Sequence, residues 1–406
     1  MQLTWLTEGM AISPEGTAAV DVLEISRLRD EHGVLTVYVD ADPREQAAER
    51  PGWVVAAENG LNEIREQVKA EGDRARWTAV FHRLDELEPE LVSLLDPRRP
   101  GRGRALFATV AGSEVHTVVL HMPLTNRVAL DDVAHLTPLV TALDRGRPAG
   151  LLTVSLSEVR ALEQRLGLVG VVTTISLEPD TSEWRQMKGP AAANPAMAQH
   201  AAPQHDRFER RLDEHRLRAL ESAVGALGEL ATRRGWDRIV IAGDKRLADR
   251  LVESFARDGV DVTLVDRTLH PLTPAEVGES LAAELEKANA RREAALVARA
   301  RDAALSGNAG ALGLADTLTA LNEGRVGRLL FDGQREYEGA RTPDGFLVPQ
   351  GVVPPGFEPD ELVPEPALTG HMVERALAID ARVTPLSAEG AGALADHEGI
   401  AALLRW

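Results

Sequence analysis

Residues 179–204 join an apolar run, Leu168–Leu177 (LVGVVTTISL), to a charged helix pattern that begins QHDRFERRLDEHRLRALESAVGALGEL. No strand or helix pattern runs through the join, which is rich in Ala and Pro and carries Asp180, Glu183, Arg185 and Lys188. Structureless connections of this length are uncommon inside compact domains, and where they occur they are functional or mobile. The chain is therefore expected to hold a long loop on a rigid strand and helix, away from its own core, and such a loop is a natural contact site for a partner. It offers few large apolar anchors beyond Trp184 and Met187, so high mobility is expected there.

With 406 residues the chain exceeds one ordinary core, and two or three domains are expected. A composition of 44% hydrophobic and 27% charged residues is that of a soluble globular protein. No cysteine is present, which excludes disulfides and thiolate metal sites and makes the reducing cytoplasm the natural compartment. The start, MQLTWLTEGMAISPEG, lacks a basic segment followed by an apolar run, so no signal peptide is expected. No stretch approaches the roughly 20 apolar residues that span a bilayer, so no membrane partner is expected. The net charge of -18 opposes general binding to DNA or RNA, because phosphate affinity needs clustered cations. It leaves room for a local basic surface on an acidic body.

Strand and helix patterns alternate throughout, which indicates an α/β protein. In the first part, GVLTVYVD (33–40) reads as a buried strand, helices follow over 53–71 and 77–95, and RALFATV and EVHTVVLHM are further strands. The turn DRGRPAG marks the first boundary. The stretch LLTVSLSEVRALEQRLGLVGVVTTISL reads as two strands, followed after the loop by a helix over 206–234, strand DRIVIAG, helix DKRLADRLVESFARDG and strand VDVTLVD. Residues 273–305 begin with Thr273 as N-cap and Pro274 at the first helical position, and continue as a charged amphipathic helix with one flank packed. The end of the chain gives helix, turn and strand in ALGLADTLTALNEGRVGRLLFDG, helix and strand in HMVERALAIDARVTPLS, and a closing strand in GIAALLRW. Between them, 334–369 contains seven prolines and reads as a surface excursion without regular structure. The expected domains are 1–147, 148–272 with the loop 179–204, a connecting helix 273–310, and 311–406.

Candidate chemistry concentrates in arginine. PRRPGRGR places Arg98, Arg99, Arg102 and Arg104 in one turn with no acid among them, a generic phosphate-contact pattern. The helix start carries Arg207, Arg210, Arg211, Arg216 and Arg218, interleaved with Asp206, Glu209, Asp213 and Glu214, a mixture equally typical of solvated helix pairs. His205 and His215 are almost three helical turns apart, too far to share one ion, so they and His200 are read as exposed or capping histidines and no metal site is expected. Asp40 and Asp42 end a strand and are read as turn and cap residues. Asp244 in IVIAGDKRLADR is read as a helix start, because neither a Walker pattern nor GxGxxG is present. Neither GxSxG nor HExxH occurs, and no cofactor is expected.

The ordered set LTVYVDADP, GRGRALFAT, the loop before an arginine-rich helix, LADTLTALNEGRVGRLLF and GIAALLRW resembles bacterial homologues of the archaeal and eukaryotic peptide-chain release factors, Pelota-like and within the actinobacterial Balon-related group. The resemblance covers essentially the whole chain. It implies three domains, with a ribonuclease-H-like middle domain and a C-terminal domain like the kink-turn-binding ribosomal proteins. It implies the ribosome as partner, through ribosomal RNA of the A-site region, with an elongation factor and peptidyl-tRNA as further partners. Arg98, Arg99, Arg102, Arg104, Arg185, Lys188, Arg207, Arg210 and Arg211 are then the RNA-binding candidates. Release factors present Gly-Gly-Gln from the middle-domain loop, and the glutamine helps place a water against the peptidyl-tRNA ester. Gln204, with Gln199 as second choice, stands nearest that glutamine, and neither follows two glycines. The resemblance thus implies occupancy of idle or stalled ribosomes without catalysis, as in hibernation or stress. The alternatives are peptidyl-tRNA hydrolysis in ribosome rescue and, from another class, an acidic self-assembling protein using the 273–305 helix. No equivalent of the Asn-Ile-Lys-Ser stop-codon motif is present.

Overall fold

The computed structural model describes residues 22–45, 50–178, 201–257, 259–307 and 309–406, with backbone alone at 201–213 and 257. The chain forms two compact units, one made of the residues up to Gly146 together with Asn289–Trp406, the other of Arg147–Ala288.

The N-terminal segment contains α1 (Val22–Ser26), β1 (Arg29–Asp40), α2 (Gly52–Ala70), α3 (Arg74–Glu86), α4 (Glu88–Leu95), β2 (Gly103–Thr109), β3 (Val115–Leu120), β4 (Arg127–Val133) and α5 (Thr137–Arg145). Its sheet has the order β3-β2-β1-β4, antiparallel throughout. Leu35, Val37 and Val39 face one side of β1 and meet the helical stripe Trp53, Ala57, Leu61, Ile64 and Val68 of α2. Full burial of each such aliphatic side chain contributes roughly 1.5–3 kcal/mol. The helix expected over 77–95 is two helices: Asp73 caps the first through Ala75 N and Arg76 N, and the second restarts at Glu88-Pro89, where proline is accepted in a first turn.

The second unit holds β5 (Ala149–Val154), β6 (Glu158–Arg165), β7 (Leu168–Ser176), α6 (Ala201–Arg234), β8 (Arg238–Gly243), α7 (Lys245–Arg257), β9 (Asp261–Val265) and the first half of α8 (Pro274–Leu305). The sheet order is β7-β6-β5-β8-β9, an antiparallel meander followed by two parallel strands. Where two strands were expected there are three, because Leu166 and Gly167 turn the chain with φ of 49° and 84°. Two consecutive positive φ angles make the tight hairpin that suits the twist of the flanking strands. One face of the sheet packs on α6 and α7 through Leu220, Leu227, Leu247 and Phe255. The other packs on Val277, Leu281 and Leu285 of α8.

Thr273 starts α8 as expected, with Glu276 accepting from its backbone N at 2.8 Å and its hydroxyl at 2.7 Å. In the first unit the later half of α8 buries Val297 and Ala300 against Leu330, Leu394 and Ala401. The apolar stripe of the helix is thereby used within the chain.

The C-terminal segment continues with β10 (Gly310–Leu312), α9 (Leu314–Asn322), β11 (Val326–Asp332), β12 (Gly339–Arg341), β13 (Leu347–Pro349), β14 (Val363–Glu365), α10 (Leu368–Ala378), β15 (Arg382–Leu386), α11 (Ala388–Gly392) and β16 (Ile400–Leu404). Its main sheet is β10-β16-β11-β15. The proline-rich stretch 334–369, expected without regular structure, forms a second sheet, β13-β12-β14. Short strands tolerate its prolines at edges, and Tyr337, Leu347 and Thr342 are buried. Asp144 of α5 is held against Arg292 of α8 and Arg328 of β11, with Thr384 of β15 donating to it at 3.4 Å.

Candidate nucleic-acid interface

The loop that dominates the sequence lies outside the described residues over 179–200, and with it Gln199, Arg185 and Lys188. Its two anchors are described. At the leaving end, Leu177 is buried and its N–H donates to Ser157 O at 2.7 Å, while Ser155 Oγ accepts from Glu158 N at 3.0 Å. The turn between β5 and β6 therefore clamps the end of β7.

At the returning end, α6 starts at Ala201, earlier than the expected 206. Gln204 consequently lies on helical backbone rather than on the loop, and Pro203 is accommodated because the first turn has no intrahelical N–H bonds to lose. Arg207, Arg210 and Arg211 share this helix; their side chains, like that of Gln204, lie outside the described ones. The first described buried residue of α6 is Leu220, about 28 Å along the axis from Ala201 at 1.5 Å per residue. Arg218 is exposed beside Glu214 at 3.4 Å, the solvated helix pair that the interleaved charges allow.

Gly243 closes β8 with a φ of +136°, and a Cβ there would stand 1.9 Å from Val154 O. Asp244 follows as the helix-start residue expected from the sequence, its carboxylate accepting from Leu247 N at 3.1 Å.

The arginine turn 98–104 separates into different roles. Arg98 is exposed, and Arg99 donates to Ser93 Oγ at 2.6 Å. Arg102 lies between two carboxylates, donating to Asp40 at 2.7 and 3.0 Å and to Asp42 at 3.3 Å. The Asp40 hydrogen bond holds its guanidinium above the ordinary arginine value. Arg104 corrects the expectation of a phosphate contact, because it is fully buried at 0% exposure. It donates to Leu94 O and Asp96 O at 2.8 Å, to Gly101 O at 3.2 Å and to Arg99 O, and lies 5.6 Å from the Trp53 ring centroid. Its guanidinium satisfies carbonyls at the end of α4, where helical backbone lacks partners.

A cluster that sequence reasoning missed lies in the first unit. Tyr38 donates to His135 O at 2.8 Å, and Glu336 stands 3.5 Å from Arg127 and 3.8 Å from His135. Burial, with Arg127 beside it, pushes the His135 imidazole down to about 4; burial also raises the Asp131 and Glu336 carboxyls. Such perturbed groups suit proton chemistry or a structural joint, and here they fix β1 and β4 to the 336 segment. Among the described residues, no group of His, Asp and Glu could hold a metal ion, and no helix is long and apolar enough to cross a membrane.

Residues 135–304 match the model of bacterial archaeo-eukaryotic release factor family 10. The match contains β5 to β9, both anchors of the loop and the loop itself. The uncharacterized protein YocB of Bacillus subtilis (strain 168) is 21% identical over 233 residues, 57% of this chain and 85% of that protein. Among solved structures, the archaeal translation termination factor aRF1 aligns over 94% of this chain and 95% of its own, at 15% identity and a TM-score of 0.24. Archaeal Pelota, in a ribosome-bound model with ABCE1, aligns over 75% and 77%, at 14% identity and a TM-score of 0.39. Dom34 of S. cerevisiae aligns over 76% and 75%, at 9% identity and a TM-score of 0.37. Residues 135–304 of the chain are thus similar to the bacterial archaeo-eukaryotic release factors of family 10.

Proposed function

We propose that the protein is a ribosome-binding translation factor that occupies the A site of idle or stalled ribosomes without bond chemistry. The observation that carries this reading is the family match across 135–304, which includes the loop 179–200 and the strand and helix that hold it. The antiparallel meander followed by two parallel strands supports a ribonuclease-H-like middle domain. The sheet β10-β16-β11-β15 with α9 and α10 is the candidate for a kink-turn-binding-protein-like fold.

Occupancy is favoured over hydrolysis by the chain around Gln204. Ala202-Pro203 stands where release factors carry two glycines, and the backbone is already helical, which removes the close approach and positive φ that glycine permits. Arg98 and Arg99, with Arg185, Lys188, Arg207, Arg210 and Arg211 around the loop, are the cations assigned to ribosomal RNA; an elongation factor and peptidyl-tRNA are the further partners of this reading.

Co-sedimentation with vacant 70S ribosomes from a related bacterium, across a salt series, tests it. Saturable binding that weakens with salt is expected; absence of binding at low salt refutes ribosome association. A peptidyl-tRNA hydrolysis assay then separates the mechanisms. Cleavage by the wild type that is lost in the Gln199→Ala, Gln204→Ala variant while binding persists would reject pure occupancy.

A further inference from the structure

We infer that β7 is an edge built to pair with itself, through which two copies of this chain join antiparallel and run one five-stranded sheet into the other. β7 is the outermost strand in the order β7-β6-β5-β8-β9, and over its nine residues, Leu168–Ser176, it carries neither charge nor proline. None of the nine is fully buried, and Val171 is 41% exposed. Among the described residues, no hydrogen bond from another element reaches its outer backbone. Edge strands are ordinarily blunted by charge, proline or a covering element, because an open row of N–H and C=O groups is a template for another strand.

The ladder with β6 shows which groups are open. Leu177 N donates to Ser157 O, so Thr173 and Ile175 also address β6, and Thr174 and Ser176 turn their N–H and C=O outward. Ser155 N donates to Glu158 O, which turns every second residue of β6 from Glu158 toward β5 and leaves Glu163 and Arg165 to face β7. Their partners Gly170 and Leu168 therefore point inward, and Val169 and Val171 open outward. Between the two halves the register slips and Val172 is left over as a bulge. The outward groups thus fall at Val169, Val171, Thr174 and Ser176, with a step of three residues in the middle instead of two.

That step selects the occupant. A regular strand opens every second residue outward, so it matches one half of β7 and not both. Another β7 matches both. About a two-fold axis between Val172 and Thr173, Val171 stands opposite Thr174 and Val169 opposite Ser176, reciprocally. The faces agree as well: Val169 packs on the α8 side, Val172, Ile175 and Leu177 on the α6 and α7 side, and alternation then puts Val171, Thr174 and Ser176 with Val169. Each opposed pair has its side chains on one face of the joined sheet, as antiparallel partners require. About eight N–H···O bonds close the pairing. No charge on the strand opposes its own copy, although the chain carries a net charge of -18. The two-fold consumes both β7 edges, so assembly stops at a dimer.

The test is sedimentation velocity of the full chain over a concentration series, with disulfide trapping to read the register, since the chain has no cysteine of its own. A monomer–dimer equilibrium is expected, and it should tighten with salt as the acidic bodies are screened, the opposite of ribosome binding. Under mild oxidant, Val171→Cys with Thr174→Cys should link two chains, because opposed hydrogen-bonded residues lie about 5.5 Å apart between Cα atoms, within disulfide reach. Val171→Cys with Ser176→Cys is out of register and should link roughly tenfold less. Thr174→Pro removes an outward N–H and spares the ladder to β6, and Val171→Lys sets a charge on the edge; each should raise the dimer dissociation constant by roughly tenfold or more. Val171 is exposed, so the lysine variant should melt as the wild type does. A monomer up to about 100 μM at high salt, an open series of larger assemblies, equal trapping in both cysteine variants, or a dimer indifferent to the proline and lysine variants would each overturn the inference. No ribosome enters this assay, so its outcome leaves ribosome binding to its own test.

Discussion

Replacing Arg104 with Met tests whether the arginine turn is a phosphate-contact surface or part of the core. Met keeps much of the aliphatic volume beside Trp53 but removes every donor. The guanidinium serves four carbonyls, those of Leu94, Asp96, Arg99 and Gly101. Hydrogen bonds from a charged donor are worth about 1.5–3 kcal/mol each, but removing the buried cation also relieves its desolvation. The net cost is therefore set by the carbonyls left unpaired, at about 1–3 kcal/mol for each one water cannot reach. Two such carbonyls at the end of α4 give a loss of about 2–6 kcal/mol, against a usual domain stability of about 5–15 kcal/mol. Urea unfolding followed by tryptophan fluorescence measures it, with Arg98→Ala as the exposed control expected to change by less than about 0.5 kcal/mol. If Arg104→Met cost under about 1 kcal/mol and instead weakened ribosome binding, the burial argument would be wrong and Arg104 would return to the RNA-contact set.

Four further outcomes follow from the geometry. Gly243→Ala should destabilise the second unit by at least about 2 kcal/mol in denaturant unfolding, because the added Cβ meets Val154 O at a backbone angle that favours glycine. Asp144→Ala should cost about 3–5 kcal/mol, since it removes the carboxylate that holds Arg292 and Arg328, and thermal unfolding of the first unit reports it. His135, held down to about 4, stays neutral in the folded state while the unfolded chain takes up a proton below its ordinary value near 6.5. Stability should thus fall as pH drops from about 6.5 to 4, by up to about 3 kcal/mol, and His135→Asn should flatten that slope; the raised Asp131 and Glu336 carboxyls act in the opposite sense and remain in both proteins. In ribosome co-sedimentation, Arg98→Ala with Arg99→Ala should reduce the salt slope by about one per lost phosphate contact; an unchanged slope would remove this turn from the interface.

The sequence pattern was most readable where local rules act alone. DRIVIAG and the helix after it were legible because a continuous apolar run ends in Gly243 and a capping Asp244. Thr273 and Pro274 announced α8 for the same reason. The hairpin at Leu166-Gly167 was hidden because leucine at positive φ is unusual. In 334–369 the prolines drew attention away from Asp344-Gly345, a hairpin signal between short β-forming runs. Arg104 was misread because its neighbours in PRRPGRGR are also arginines; the warning was that it opens RALFAT, a strand buried on both faces. The joint of Tyr38, His135 and Glu336, like that of Asp144 with Arg292 and Arg328, had no sequence signal, since each pairs residues far apart in the chain, Tyr38 and His135 by 97 positions and Asp144 and Arg292 by 148. At the candidate interface, the anchors on β7 and α6 were legible in outline, whereas the roles of the individual arginines depended on tertiary contacts.

A unit assembled from both ends of a chain has a consequence for the order of events during synthesis. Residues up to Gly146 leave the ribosome first, yet α5 and its Asp144 find Arg292, Arg328 and Thr384 only after the last third of the polypeptide has been made. The segment Arg147–Ala288, although translated second, has all its sheet partners within itself and can be the first unit completed. Once it has folded, its two ends are fixed by structure rather than separated by a random coil, which lowers the entropy cost of bringing the outer segments together. The sheet β3-β2-β1-β4 also has its partners within residues 29–133, so a nascent chain halted before residue 289 should carry both folded sheets, with protease sensitivity confined to α5 and the start of α8, whose contacts come from the last third.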